Sequence, residues 1–166
     1  MAKDYFDDVE DPDDDNFLKL AQEELKRVEH QVYVTLKYTR TGDVLMNVTL
    51  RMIDAYEDLI DAMLKIQKFD MEAIKKLSIL EKVKKVEDAY GDPQVIENMQ
   101  IYLLLRKISK AKSIRKESEY RRPVAMITVI NGEEVRVDID LVTHYYAVLM
   151  SFYKYVEMLT KTESNV

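Results

Sequence analysis

From Asn16 onward the chain is organised by helical periodicity. Phe17, Ala21, Leu25, Val28, Val32 and Leu36 recur three or four apart behind Asn16, a good N-cap. Val32, Val34, Leu36 and Tyr38 also alternate as a strand would, with β-branched residues in support. The stripe is continuous from Phe17, so the spacing predicts helix to about Thr39. Thr41-Gly42-Asp43 predicts a tight turn, with Gly42 left-handed at C′ and Asp43 capping the next helix. That helix, about 44–67, aligns Leu45, Val48, Met52, Tyr56, Leu59, Met63 and Ile66 on one face. A third is expected from Asp70 to Gly91 through Ile74, Leu77, Leu80, Val83, Val86 and Tyr90.

Asp92-Pro93 is a cap followed by proline at the first helical position, where its missing N–H costs nothing. A fourth helix is expected from there towards Ser118. Ile101 to Leu105 is apolar all round, which predicts passage through the middle of a bundle; the charged last turns should project beyond it. After Pro123, Asn131-Gly132 predicts a two-residue hairpin turn. The register then pairs Ile130 with Glu133, Thr128 with Val135, Met126 with Val137 and Val124 with Ile139 on the core face. Val129 with Glu134, Ile127 with Arg136 and Ala125 with Asp138 share the other. Asp140 is expected to cap a fifth helix to about Lys161. Its apolar residues, Tyr145, Tyr146, Phe152, Tyr153 and Tyr155 among them, ring most of the circumference. It should be the central helix or an oligomer seam. The expected fold is mainly α: a bundle of about five helices with one β-hairpin, about 124–139, inserted before the last helix.

Composition fits one globular domain over 16–166, with 47% hydrophobic and 34% charged residues. Eight acidic side chains against Lys3 in residues 1–15 predict a disordered acidic tail, in which Tyr5, Phe6 and Val9 could dock on a groove. The absence of cysteine excludes disulfides and thiolate metal sites, and no leader or membrane-length apolar run is found, so a cytoplasmic location is expected. Richness in Lys, Glu, Ile, Val and Tyr fits a thermophile, against which nine methionines count.

No motif calls for a cofactor or a metal. His30 and His144 lack the Glu-x-x-His spacing of di-metal bundles, with Arg27 and Leu141 three residues before them. Asp54, Glu57, Asp58 and Asp61 share a face of the second helix. This stripe resembles half of the Mg²⁺ site of all-helical nucleotide pyrophosphohydrolases, which needs a second carboxylate pair on a neighbouring helix. No such pair is found, and a solvated face is the plainer reading. Small helical ribonucleases of the HEPN type use an Arg, four to six residues, then a His. Arg136 and His144 have seven residues between them, and Arg136 falls on an expected strand. A small helical nuclease or a Mg²⁺-dependent nucleotide hydrolase is therefore the alternative reading.

The basic segment carries more information. Arg106, Lys107, Lys110, Lys112, Arg115, Lys116, Arg121 and Arg122 stand against Glu117 and Glu119, a net +6 in a chain of net −6. Such a segment suits phosphate contact, a helix C-terminus, or the acidic tail folded over it. The hairpin leaves Ile127 and Val129 on its outer face and two open edges, which a partner would cover. The expected function is a non-enzymatic assembly subunit, homo-oligomeric or bound to another protein. Ile127, Val129, Tyr146, Tyr153 and Tyr155 are the expected interface, with nucleic-acid contact through 106–122 secondary.

Overall fold

The computed structural model describes residues 16–164; the acidic tail expected over 1–15 lies outside them. Asn16 caps the first helix, its side chain accepting from the Lys19 N–H at 3.1 Å. Helix α1 (Phe17–His30) runs through a π turn (Gln31–Thr35) into α2 (Leu36–Tyr38). Val28, Val32 and Leu36 lie at four-residue steps, and the wider winding of the π turn keeps Val32 and Leu36 on the buried face. Val32 and Leu36 stay buried, while Val34 and Tyr38 face outward. Periodicity wins over β propensity here.

The following turn is not the one expected. Thr41, not Asp43, is the N-cap of helix α3 (Gly42–Ile66), its hydroxyl accepting from the Val44 N–H. Gly42 is the first helical residue rather than a left-handed C′. Its need for glycine is one of space: a Cβ there would lie 2.7 Å from Lys116 Cγ.

Helix α3 is the middle of the bundle. Leu45, Val48, Met52, Tyr56, Leu59 and Met63 are fully buried, and Ile53, Ile60 and Leu64 extend the buried surface round the helix. The one continuous helix expected from Asp70 is two. Helix α4 (Met71–Lys75) is capped by Asp70, and α5 (Ile79–Tyr90) starts in a capping box of Ser78 and Glu81. Such a box satisfies two helix-end donors reciprocally, and Ser-x-x-Glu was there to be found. Gly91, at φ +51°, closes α5, and Asp92 with Pro93 opens α6 (Pro93–Ser109) as the residues predict. Helix α6 is not the central helix: Val95, Met99, Tyr102 and Leu105 are buried, but Ile101, Leu103 and Leu104 only half so. It is tied to α3 by the Tyr56 hydroxyl donating to Asn98 Oδ1 at 2.7 Å, inside the core.

Helix α6 also ends at Ser109, well short of Ser118. The charged residues expected to project as helix turn back as strand β1 (Arg115–Glu117), antiparallel to β2 (Ala125–Ile130). Strand β3 (Glu133–Asp138) completes a sheet of order β1-β2-β3, with the hairpin register read from Asn131-Gly132. One edge of β2 that seemed to await a partner strand is thus partly filled by the chain itself. The longer edge strand, β3, carries Glu133, Glu134, Arg136 and Asp138, charges that discourage further pairing. Asp138, not Asp140, caps α7 (Ile139–Ser164) by accepting from the Leu141 N–H. Helix α7 packs on α3, α1 and α6.

The outer sheet face solves the puzzle of Ile127. Arg115 and Arg136 are its direct cross-strand neighbours on either side, and both guanidiniums converge on Glu117, at 3.0 and 3.2 Å. The two arginines hold the Glu117 carboxyl below its usual range. With their heads tied, the apolar stems roof the strand between them. Ile127 is 4% exposed and Ala125 fully buried, while Val129, one step past the roof, is 62% exposed.

Ile127→Lys is therefore expected to destabilise the fold by about 3 kcal/mol, a buried charge facing two arginines. Val129→Lys should change stability by no more than about 0.5 kcal/mol. Thermal melting of the two variants side by side checks this; equal effects would contradict the roof.

Candidate interaction surface

Folding back after Ser109 splits the basic segment. Arg106 reaches Glu57 at 3.3 Å, and Arg115 is held by Glu117. Lys116 bonds Asp43 at 2.6 Å and Arg122 bonds Asp140 at 2.8 Å. Lys107, Lys110, Lys112 and Arg121 are exposed, with no ion pair to a described residue. The first two lie at the C-terminal end of α6, where positive charge complements the helix dipole. The expected straight cationic helix does not form; half of its charge is tied internally.

The other end of the segment builds a rigid corner. The loop 118–122 lies against the turn between α2 and α3, joined by three contacts. The Tyr120 N–H donates to the Arg40 carbonyl at 2.6 Å. The Gly42 N–H donates to both Glu119 carboxylate oxygens, at 3.2 and 3.3 Å. The third is the Lys116–Asp43 pair. Glu119 thereby caps the N-terminal end of α3, where the dipole favours a negative charge. Holding Glu119 inward requires left-handed backbone on both sides, φ +54° at Ser118 and +66° at Tyr120. For a bulky side chain that conformation costs on the order of 1–2 kcal/mol. Its result is exposure. Tyr38 at 83% and Tyr120 at 78% are the most exposed large apolar side chains among the described residues. Tyr33 and Val34, partly exposed, sit on the π turn of the same helix end.

The expected interface residues fall elsewhere. Ile127 is roofed as described, and Val129 remains on the surface. Tyr146 is buried, its hydroxyl donating to Glu29 and its ring edge-on to Tyr33; burial and Glu29 push its pKa up to about 12. Tyr153 is buried, bonding Glu157, and Tyr155 stacks half-buried on Phe152. The tyrosines of α7 are largely consumed within one chain.

The acidic stripe of α3 gains one neighbour the sequence did not reveal. Glu24 of α1 faces Asp54 and Asp58, because α1 and α3 pack antiparallel. Glu24 pairs with Arg27 and Arg51, Asp61 with Lys82, and Glu57 with Arg106. Tyr102 donates to Glu57 as well, beside a cleft of about 30 Å³. Asp58 stands in the middle; burial, then Asp61, Glu24, Asp54 and Glu57, raise its pKa to about 7. Among the described residues no group of three or more His, Asp and Glu is arranged to hold a metal ion. His30 and His144 are both exposed, and Arg136 bonds Glu117 and the Pro123 carbonyl rather than approaching His144. No described helix is long and apolar enough to cross a membrane. No protein-family model matches the chain, and comparison with curated proteins and with solved structures finds no match either.

Asp58 gives a pH prediction with a definite sign. Its folded pKa, about 7, lies above the free value of 3.8, so the folded state holds the proton more tightly. The associated stability is complete below about pH 4 and is lost as pH rises through about 7. Asp58→Asn should remove that slope. It should stabilise the protein at pH 8 by roughly 1–2 kcal/mol, a figure discounted for a half-exposed group. Melting curves at pH 5 and pH 8 test it; a parent equally stable at both contradicts the assignment. Separately, Glu119→Ala should cost about 1 kcal/mol through the lost helix cap, and should open 118–122 to limited proteolysis. An unchanged cleavage pattern would show that the corner is held without that carboxylate.

Proposed function

We propose that this chain is a non-enzymatic assembly subunit, and that copies associate through the corner carrying Tyr38 and Tyr120. The observation that supports this most is Tyr120 itself. A left-handed surface position is cheapest with glycine or asparagine. A tyrosine there, with its ring in solvent, gains nothing for the fold that would offset the strain. Backbone strain at an exposed aromatic is the pattern of a contact residue held ready.

Tyrosine and arginine are also the side chains on which interfaces concentrate binding energy, because they bring large contact area at low entropic cost. Here Tyr120 stands on a loop, and Tyr38 on the helix end beside it, already locked by the Glu119, Tyr120 and Lys116 contacts, so little further ordering is needed on binding. Lys37, Arg40 and Arg121 supply a charged rim. The location differs from the hairpin and last helix that the sequence favours, since those apolar residues are mostly used inside the chain. Phosphate contact through Lys107, Lys110, Lys112 and Arg121 is a second reading, favoured by their having no ion pair to a described residue.

Sedimentation velocity across a concentration series, beside thermal melting, tests the assembly reading. Tyr120→Asn should melt higher, by about 1 kcal/mol of relieved strain, yet associate more weakly than the parent. Tyr38→Ser with Tyr120→Ser should remain folded and sediment as a monomer. A double variant that associates like the parent would overturn the role of the corner, and a parent that stays monomeric throughout would overturn self-assembly.

A further inference from the structure

We infer that the corner receives residues 1–15 of a neighbouring copy, so that copies join head to tail. This rests on the assembly reading above and names what the surface binds. Charge is the first argument. Residues 1–15 carry eight acidic side chains against Lys3, while the whole chain nets −6, so everything after residue 15 is close to neutral. Within that remainder the corner itself carries cations: Lys37 and Arg121 are exposed with no ion pair to a described residue, and Arg40, half-buried, lies between them. A run of like charge is matched to a surface that lacks counter-charges of its own.

Side-chain character is the second argument. Tyr5, Phe6 and Val9 are the apolar residues embedded among those acids. The corner offers exposed Tyr38 and Tyr120, with Tyr33 and Val34 alongside. Aromatic rings that dock together while carboxylates meet a cationic rim would use both features of the segment at once.

Reach decides between the chain's own segment and a neighbour's. The segment is rooted at Asn16, at the start of α1, and the corner lies past the end of α2 at Tyr38. The helix between them, 22 residues from Phe17 to Tyr38, is about 33 Å long at 1.5 Å per residue. The ten residue steps from Phe6 to Asn16 span at most about 33–36 Å when fully extended. Docking on its own corner would hold the chain taut along the entire helix, at the full cost in conformational entropy. A neighbour placed end to end offers the same surface at short range. The contact is heterologous, the segment of one copy on the corner of the next, so it leaves a free segment and a free corner at every stage and builds a ring or a growing chain.

A mixing experiment on full-length chains separates the outcomes. One variant loses the segment's charge (Asp7→Asn, Asp8→Asn, Asp11→Asn and Asp13→Asn together); the other loses the corner (Tyr120→Ser, with Tyr120→Asn as a second version). Circular dichroism confirms that each is folded. Parent self-association should be strong at about 0.05 M salt and weaken at about 0.5 M, where exposed charges are screened. Each variant alone should associate about tenfold or more weakly than the parent. Mixed, they should form a 1:1 dimer that grows no further, because together they hold one intact segment and one intact corner. A charge-neutralised variant that assembles like the parent overturns this inference and leaves the assembly reading standing. A parent that is monomeric at every concentration and salt overturns both. A parent that stays monomeric but binds a single-stranded oligonucleotide, lost on Tyr120→Ser, overturns both in favour of a nucleic-acid site.

Discussion

The carboxylate of Glu119 on the backbone N–H of Gly42 joins two parts of the chain 77 residues apart. Much else follows from it. A helix N-terminus needs acceptors for its free donors, and here one comes from a loop far away in sequence rather than from the local cap alone. For that carboxylate to arrive, Gly42 must lack a Cβ, Lys116 must lie across it, and the backbone must turn left-handed on both sides of Glu119. The same geometry returns the chain after α6 as a strand, starts β2 in register and sets Tyr120 in the solvent. Fold and candidate surface thus share one hydrogen-bonded joint.

Charge in this protein is divided between two uses. The carboxylates of α3 and the arginines of the sheet are engaged in pairs that hold elements together, Glu57 with Arg106 and Glu117 with Arg115 and Arg136. Most are exposed enough that each pair adds little stability alone. Their larger effect is geometric, as when the clamped guanidiniums lay their stems over Ile127. Among the described residues, Lys107, Lys110, Lys112 and Arg121 of the basic segment are not engaged in such pairs. Left-handed backbone lies at Ser118 and Tyr120, and in the turns at Lys68 and Asn131, and not in the core, where the polar groups Thr49 and Asn98 have hydrogen-bond partners.

Local chemistry made a good part of the fold legible before any coordinates. The helical stripe from Phe17, the Asp92-Pro93 start, the Gly91 stop and the Asn131-Gly132 hairpin with its register all depend on spacings of a few residues, which a one-dimensional pattern records directly. So the sequence by itself determined most of the helices, the hairpin pairing and a mainly α architecture. The Ser78–Glu81 box that divides the expected third helix is a local signal of the same kind. What only the tertiary structure decided were matters of long range. Which helix is central depends on how many neighbours each finds, and α3 finds them on nearly every side. Whether the residues after Ser109 continue as helix or pair with β2 depends on an unfilled strand edge that exists only after the hairpin docks. Whether Glu24 joins the acidic stripe, whether Ile127 is covered, and which tyrosines face solvent depend on contacts between residues far apart in the chain, which no local spacing encodes.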